Sequence, residues 1–480
     1  VSAGLDKCFS IDLFTAFAKK WIVDHHKASP EQPFFMYLAH DTPHGALQLA
    51  TSAYPEGRGL KGGLQWLGEE GHMINTAVGE IDTYVHSDYR QDNWTEVEQR
   101  FASMVRRLDN GVGDLLQLLR DLKIADNTMV VFTSDNGPHN ESYITAQDYK
   151  PTSFRSYGPM DGMKRDVWEG GIRVPTVAWW PAAIPKGRED RRPSQFHDWM
   201  ATFADVAGVP VPALSDGVSL VPQLTGRGAA QESTVYVEYV QRGKTPLYGD
   251  FAKERQGRVR GQMQVLFHQG YKGVRTDVTH PNQDFEIYDV DKDPGERTNL
   301  LGSGESFQAL NQQLKQRVLQ IRRTDDDAKR PYDQAAVPAR DATVVPGVTW
   351  KVHEGAFPWV PRLTDQKPDQ TIAAPTLLAD LPAQATSVCQ AYLKVPVEGT
   401  VRFHCQCQGK AVVKLHQATL IDADYGYEGD TRETSLKLAA GLHPITLWVT
   451  SGNKAPTLSL EWTVNGKRSA IPASALFQAP

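Results

Sequence analysis

Met129-Val130-Val131-Phe132-Thr133 is an uninterrupted apolar run, and it breaks at Ser134-Asp135-Asn136-Gly137-Pro138. A short run of this kind, rich in β-branched residues and closed by a turn, reads as a strand buried on both faces, as in a parallel sheet. Upstream, Phe34-Phe35-Met36-Tyr37-Leu38-Ala39 follows Pro33 with the same character and ends in the polar loop His40-Asp41-Thr42-Pro43-His44. Downstream, Val174 to Trp180 is a third such run, stopped by Pro181. Helical patterns lie between and beyond them. Phe14, Phe17, Trp21 and Ile22 recur at helical spacing, and Phe101, Met104, Leu108, Leu115, Leu119 and Leu122 fall along one face of a long helix. A further helix spans Phe196 to Val206. Strands alternating with helices predict an α/β domain whose largely parallel, mixed sheet is flanked by helices. In such sheets ligands gather beyond the carboxyl ends of the strands, which is where His44 and the Asp135-Asn136 pair stand.

The whole chain has 480 residues, too many for one ordinary domain, so two or three are expected. With 40% hydrophobic and 22% charged residues it is globular in composition, able to bury a normal core. The reading assigns 1–232 to the α/β core, 233–323 to a small α+β subdomain, 324–382 to a Pro- and Asp-rich surface linker, and 383–480 to an all-β sandwich. The last assignment rests on alternating runs such as Val401-Arg402-Phe403-His404-Cys405 and Ile445-Thr446-Leu447-Trp448-Val449. Net charge is -6, and Lys and Arg are scattered rather than clustered, which argues against a nucleic-acid partner. No apolar run is long enough to span a membrane. The four cysteines, Cys8, Cys389, Cys405 and Cys407, are too sparse for a disulfide scaffold. A bridge from Cys405 or Cys407 to Cys389 stays open.

Asp135 and Asn136 are adjacent oxygen donors at a strand tip, suited to a hard cation such as calcium or magnesium. Asp-Asn-Gly also favours an Asx-type turn without any metal. His44 brings an imidazole that titrates near neutral pH, and Lys164 a fixed positive charge. Asp325-Asp326-Asp327 and Asp422, Asp424 and Asp430 read more readily as solvated turns than as metal sites. Asn93-Trp94-Thr95 and Asn140-Glu141-Ser142 match glycosylation acceptors, a pattern common by chance.

Four segments, in this order, resemble the type I, formylglycine-dependent sulfatases of the alkaline-phosphatase-like superfamily. They are Pro33 to Ala39 with Pro43-His44; Val131 to His139; Lys164 with Trp168-Glu169-Gly170-Gly171-Ile172-Arg173-Val174-Pro175; and Ile287-Tyr288-Asp289-Val290 with Asp293-Pro294-Gly295-Glu296 and Asn299-Leu300. Near the carboxyl end, Tyr392 to Pro396, Glu398 to Phe403 and Gly441 to Pro444 resemble the protective-antigen-type β-sandwich. The resemblance implies that Asp135 and Asn136 ligate Ca2+ (or Mg2+), that His44 and Lys164 bind the sulfate and assist departure of the leaving oxygen, and that His139 has a peripheral substrate role. It implies hydrolysis of a sulfate ester, on a sulfated carbohydrate, in the periplasm or outside the cell. The alternatives are a phosphodiester or phosphonate hydrolase of the same superfamily, or a non-catalytic carbohydrate-binding protein. The family's nucleophile is a formylglycine made from the first residue of a Cys/Ser-x-Pro/Ala-x-Arg motif. Cys8-Phe9-Ser10-Ile11-Asp12 does not match it, nor does Ser153-Phe154-Arg155. The nucleophile is therefore expected in an N-terminal segment of the same protein that is missing from this chain.

Overall fold

In this computed structural model, residues 7–67, 78–143, 147–323, 327, 329–377 and 379–480 are described. Helix α1 (Ser10–Ala28) packs on α2 (Glu96–Asp121), which Thr95 opens. The Thr95 hydroxyl accepts from the Glu98 amide at 3.3 Å, and the Glu98 carboxylate accepts from the Thr95 amide at 2.8 Å. This capping box satisfies two orphan donors and fixes where the helix starts. The Thr of the first glycosylation triplet thus has a structural task. Two buried ion pairs join the helices: Arg107 forks onto Asp12 at 2.8 and 2.6 Å, and Lys19 meets Asp114 at 2.7 Å. Further along, β1 (Val130–Thr133), the short helix α3 (Glu169–Ile172) and β2 (Thr176–Trp179) follow.

The sheet differs from the sequence reading in two respects. First, β1 and β2 pair antiparallel, Val130 opposite Trp179 and Thr133 opposite Thr176. Second, 34–39 is extended chain without a ladder. Phe34 and Met36 pack with Ile22, Leu118 and Leu119, while Phe35 and Tyr37 on the other face are 66% and 84% exposed. A period-2 alternation of this kind is a half-covered extended segment, not one buried on both sides.

The chain forms two compact units, one running to Arg188 with Leu247–Gln256, the other made of Glu189–Pro246 and Gly257–Pro480. The second unit opens with α4 (Phe196–Val206) and α5 (Val221–Thr225). Strands β3 (Tyr236–Lys244), β4 (Val259–His268), β5 (Tyr271–Arg275) and β6 (Glu286–Tyr288) then form an antiparallel sheet in that order. Leu310, Leu314 and Val318, one turn apart on α6 (Glu305–Ile321), close over Leu266, Phe285 and Ile287.

The rest is all β: β7 (Val345–Pro346), β8 (Val348–Glu354), β9 (Gln370–Ala374), β10 (Ala385–Val395), β11 (Gly399–Gln408), β12 (Lys410–Leu415), β13 (Ala418–Ala423), β14 (Arg432–Leu438), β15 (Gly441–Thr450), β16 (Thr457–Val464), β17 (Lys467–Ala470) and β18 (Leu476–Gln478). One sheet runs β13-β12-β15-β10-β18-β7, with β8 on β10 and β9 on β8; the other runs β14-β11-β16-β17. Their inner faces share a core around Trp350, Leu393, Phe403, Leu447 and Trp462, as expected for a sandwich. Strands β7 to β9 lie within the stretch read as a linker, with Val348, Trp350 and Val352 buried. Asp325 and Asp326 lie outside the described residues. The four cysteines are free, and burial pushes the thiols of Cys389 and Cys405 up to about 12. Asp424 is a buried structural carboxylate. It accepts from the Val360 amide at 2.9 Å and faces Lys410 at 3.1 Å, which places it with a cation partner rather than in an open sugar site.

Candidate functional site

Three loops meet around the tip that follows β1. The Pro138 carbonyl accepts from the Lys164 amide at 2.8 Å, and the Gly137 amide donates to the Gly171 carbonyl at 2.9 Å. A Cβ on Gly137 would lie 1.9 Å from the Gly170 carbonyl oxygen, so only glycine lets the tip sit this close to α3. From the other side, His139 Nε2 lies 2.6 Å from the Pro43 carbonyl. The Glu141 amide donates to His139 Nδ1 at 3.1 Å. Those two bonds fix the neutral Nε2–H tautomer. Burial pushes the pKa of His139 below its ordinary value, reinforced by the positive charge of Lys164.

His44 and Lys164 therefore end up side by side, Nζ 3.1 Å from Nε2. The ammonium donates to a bare imidazole nitrogen, which leaves His44 with its proton on Nδ1. His44 is exposed and Lys164 half-buried, so both heads reach solvent at one place. The His44 ring lies 6.1 Å from that of His139 and 6.1 Å from that of Tyr143. His139 in turn rests near Phe101 of α2 and Tyr149, whose rings stack at 4.1 Å. Of the residues singled out from sequence, His44, Lys164 and His139 touch or adjoin one another. Asp135 and Asn136 are held at the tip just ahead of Pro138.

Glu141 and Arg165 form an ion pair beside His139. Burial alone would raise the pKa of Glu141, but the Arg165 guanidinium holds it below the usual carboxylate range. Tyr248 hydrogen-bonds Asn140, and the Ala252 amide donates to Asp161 at 2.9 Å, so the 247–256 segment lines this unit. Sequence reading missed these partners. Glu141 sat inside a glycosylation triplet, and no local signal ties Tyr248 to a residue more than a hundred positions earlier. Arg173 braces α3 through Glu169 at 2.6 Å. His40 sits half-buried beside Phe14, and neither ring nitrogen finds a partner among the described residues.

The Asp135 carboxylate is exposed and takes no hydrogen bond among the described residues; the Asn136 amide nitrogen is turned to the Gly137 carbonyl at 3.0 Å, leaving its oxygen outward. Two outward oxygen donors fit a hard cation in kind. They are only part of the six to eight oxygens calcium takes, and among the described residues no group of three His, Cys, Asp or Glu could hold a metal.

Residues 6–209 match the sulfatase family, 157–324 the family described as N-sulphoglucosamine sulphohydrolase, C-terminal, and 345–474 the PA14 domain. Over 6–324 the chain is thus similar to sulfatases, and over 345–474 to the PA14 domain. It is 40% identical over 134 residues to N-acetylgalactosamine-6-sulfatase of Canis lupus familiaris, covering 28% of this chain and 24% of that protein. It is 30% identical over 292 residues to human arylsulfatase A, covering 55% of this chain and 53% of that one. These alignments thus span from about a quarter to about half of the relatives' own length. Among solved structures, that of Ps i-CgsB aligns with a TM-score of 0.42 at 19% identity, over 65% of this chain and 53% of the other. The phosphonate monoester hydrolase of Agrobacterium radiobacter aligns with a TM-score of 0.31 at 20% identity, over 47% and 42%.

Proposed function

We propose that this chain is part of a sulfuric-ester hydrolase that removes sulfate from a sulfated glycan, and that a formylglycine nucleophile is supplied from outside these 480 residues. The observation that carries the reading is the contact of Lys164 Nζ with His44 Nε2 at 3.1 Å, beside the tip holding Asp135 and Asn136. The outer face of 34–39, with Phe35 and Tyr37 exposed, supports a further segment lying against this unit. The PA14 domain at 345–474 supports a carbohydrate substrate. Among the described residues no helix is long and apolar enough to cross a membrane. The periplasm or the exterior is proposed from the likeness to sulfatases and not from that absence.

In this reading Lys164 and His44 give up their mutual hydrogen bond to a sulfate oxygen. The ammonium stabilises negative charge as it develops on the leaving oxygen, a preorganised electrostatic effect. His44 donates from Nδ1, the nitrogen that keeps its proton beside Lys164. His139, locked neutral between Pro43 and Glu141, holds the His44 loop against the tip. A calcium ion bound at Asp135 and Asn136 would offset charge on the sulfate oxygens.

The test is sulfate release from 4-nitrocatechol sulfate by the protein expressed from its complete gene. Turnover should fall about 100- to 1000-fold in Lys164→Ala, the usual cost of removing one charge-stabilising donor. An aryl phosphonate or phosphodiester turned over faster than the sulfate by the unaltered protein would overturn the reading.

A further inference from the structure

Away from the His44 loop, the helical unit contains a cavity of about 280 Å³ between the 48–58 loop, Tyr84 to His86 and α2. Its lining combines aromatic and apolar walls with Arg58, Arg106, Arg107 and His86, and among the described residues no carboxylate lines it. The three guanidinium groups are not equivalent. Arg107 is buried, committed to Asp12 and the Ser52 carbonyl, and lies over the Tyr54 ring at 4.9 Å, so it forms the floor. Arg106 gives one bond to the Tyr89 hydroxyl and one to Asp88, each 3.2 Å. Arg58 is exposed, has no carboxylate partner among the described residues, and makes one bond, to the Asn110 amide oxygen at 3.3 Å.

Arg58 is nonetheless held in place. Its Nη1 lies where a side chain on Gly113 would begin, 2.6 Å from the Cβ position, so the glycine on α2 makes room for the guanidinium. A flexible arginine laid into a groove in a helix, beside an aromatic wall, loses less entropy on meeting an anion than one free in solvent. Arginine forks onto the planar edge of an oxyanion, and aromatic rings suit the apolar face of a sugar. Ser103, Met104 and Arg107 follow Phe101, which supports His139, along the same helix. At 1.5 Å per residue these cavity residues lie roughly 3–9 Å from that ring stack along the axis.

We propose that this cavity is a second, non-catalytic subsite that holds a sulfated sugar residue of the glycan whose ester is cut at the His44–Lys164 site. The proposal rests on the sulfatase reading only for the identity of the glycan; the charge and shape of the cavity stand apart from it.

Binding is measured by calorimetry in the Lys164→Ala, His44→Ala protein, where the first site is disabled. The probes are a sulfated galactan tetrasaccharide, its desulfated counterpart and inorganic sulfate, at low and high salt. The sulfated sugar should bind with salt-sensitive affinity, and both the desulfated sugar and free sulfate at least about tenfold more weakly. Arg58→Glu should weaken binding about tenfold or more. Gly113→Ala should displace Arg58 and weaken binding about threefold while the melting temperature stays level or rises, since alanine favours the helix. Lys27→Glu, the same charge change on an exposed lysine of α1, should leave the affinity within about twofold. Unchanged affinity in both Arg58→Glu and Gly113→Ala overturns the proposal, as does equal binding of the desulfated sugar or of free sulfate, or an equal loss in Lys27→Glu. If small aryl sulfates are not hydrolysed yet Arg58→Glu abolishes tetrasaccharide binding, the sulfatase reading fails and the subsite stands.

Discussion

Lys164 and His44 lie 3.1 Å apart, and the anchoring of their loops holds them there. His139 bridges to the Pro43 carbonyl, which makes it a positioning residue. His139→Ala should lower sulfate-ester turnover about tenfold to a hundredfold, because small misplacements of reacting groups are costly. His139→Gln, whose amide can still donate to that carbonyl, should recover a measurable part; no recovery would mean the ring does more than hold the loop. Asp114 is a second residue whose surroundings set its importance. Fully buried, it accepts from Lys19 at 2.7 Å, from the amides of Gly59 and Leu64 at 2.7 and 2.8 Å, and from the Tyr54 hydroxyl at 2.8 Å. Asp114→Ala strands the buried ammonium of Lys19 and should cost about 3–5 kcal/mol in urea unfolding. Sequence pattern picked out His44 and Asp135 because each is a polar residue closing an apolar run, and the structure places both on loops beyond those runs. Contacts such as Tyr248 to Asn140 join distant stretches with no shared pattern, and sequence alone could not supply them.

Among elements, the β15 turn carries a pH dependence. His443 Nε2 donates to the Ala439 carbonyl at 2.9 Å, so its Nδ1 accepts from His416 Nε2, also at 2.9 Å. His416 Nδ1 is left without a partner among the described residues. Burial lowers the pKa of His416 to about 3, with the neighbouring His443, Arg340 and Arg317 adding to it, and burial lowers His443 as well. A depressed folded pKa means the unfolded chain binds more protons below about pH 6.5, so stability is full above that pH and lost as pH falls. Between pH 7 and pH 5, His416 alone should remove about 2 kcal/mol. His416→Phe should flatten the melting temperature of this unit over that range; an unchanged slope would refute the assignment. At this scale the later strands of the sandwich were readable from alternation, whereas Val348, Trp350 and Val352 were not read as a strand. The prolines at 346, 358, 361 and 368 concealed them within a stretch that reads as a linker. For 34–39 the residues are apolar on both faces, and composition cannot tell a covered face from an uncovered one.

For the whole molecule, the sandwich shares one compact unit with residues 189–246 and 257–323. Trp448, Val412 and Val388 pack with Ala213 and Val360, and Lys414 reaches Asp216 at 2.7 Å. Calorimetry should resolve two unfolding transitions, one per unit, and not a separate one for the sandwich. Exposed Phe14, Phe17, Phe35 and Tyr37 on the helical unit should make this chain bind a hydrophobic dye and self-associate. Paired substitution of Phe35 and Tyr37 by serine should reduce both. The most direct test of the central claim is a crystal structure of the chain soaked with calcium and selenate, read by anomalous scattering. The account predicts a cation on the oxygens of Asp135 and Asn136, and a tetrahedral anion within hydrogen-bond distance of Lys164 Nζ and His44. An anion and cation bound elsewhere, with these residues contacting neither, would contradict it.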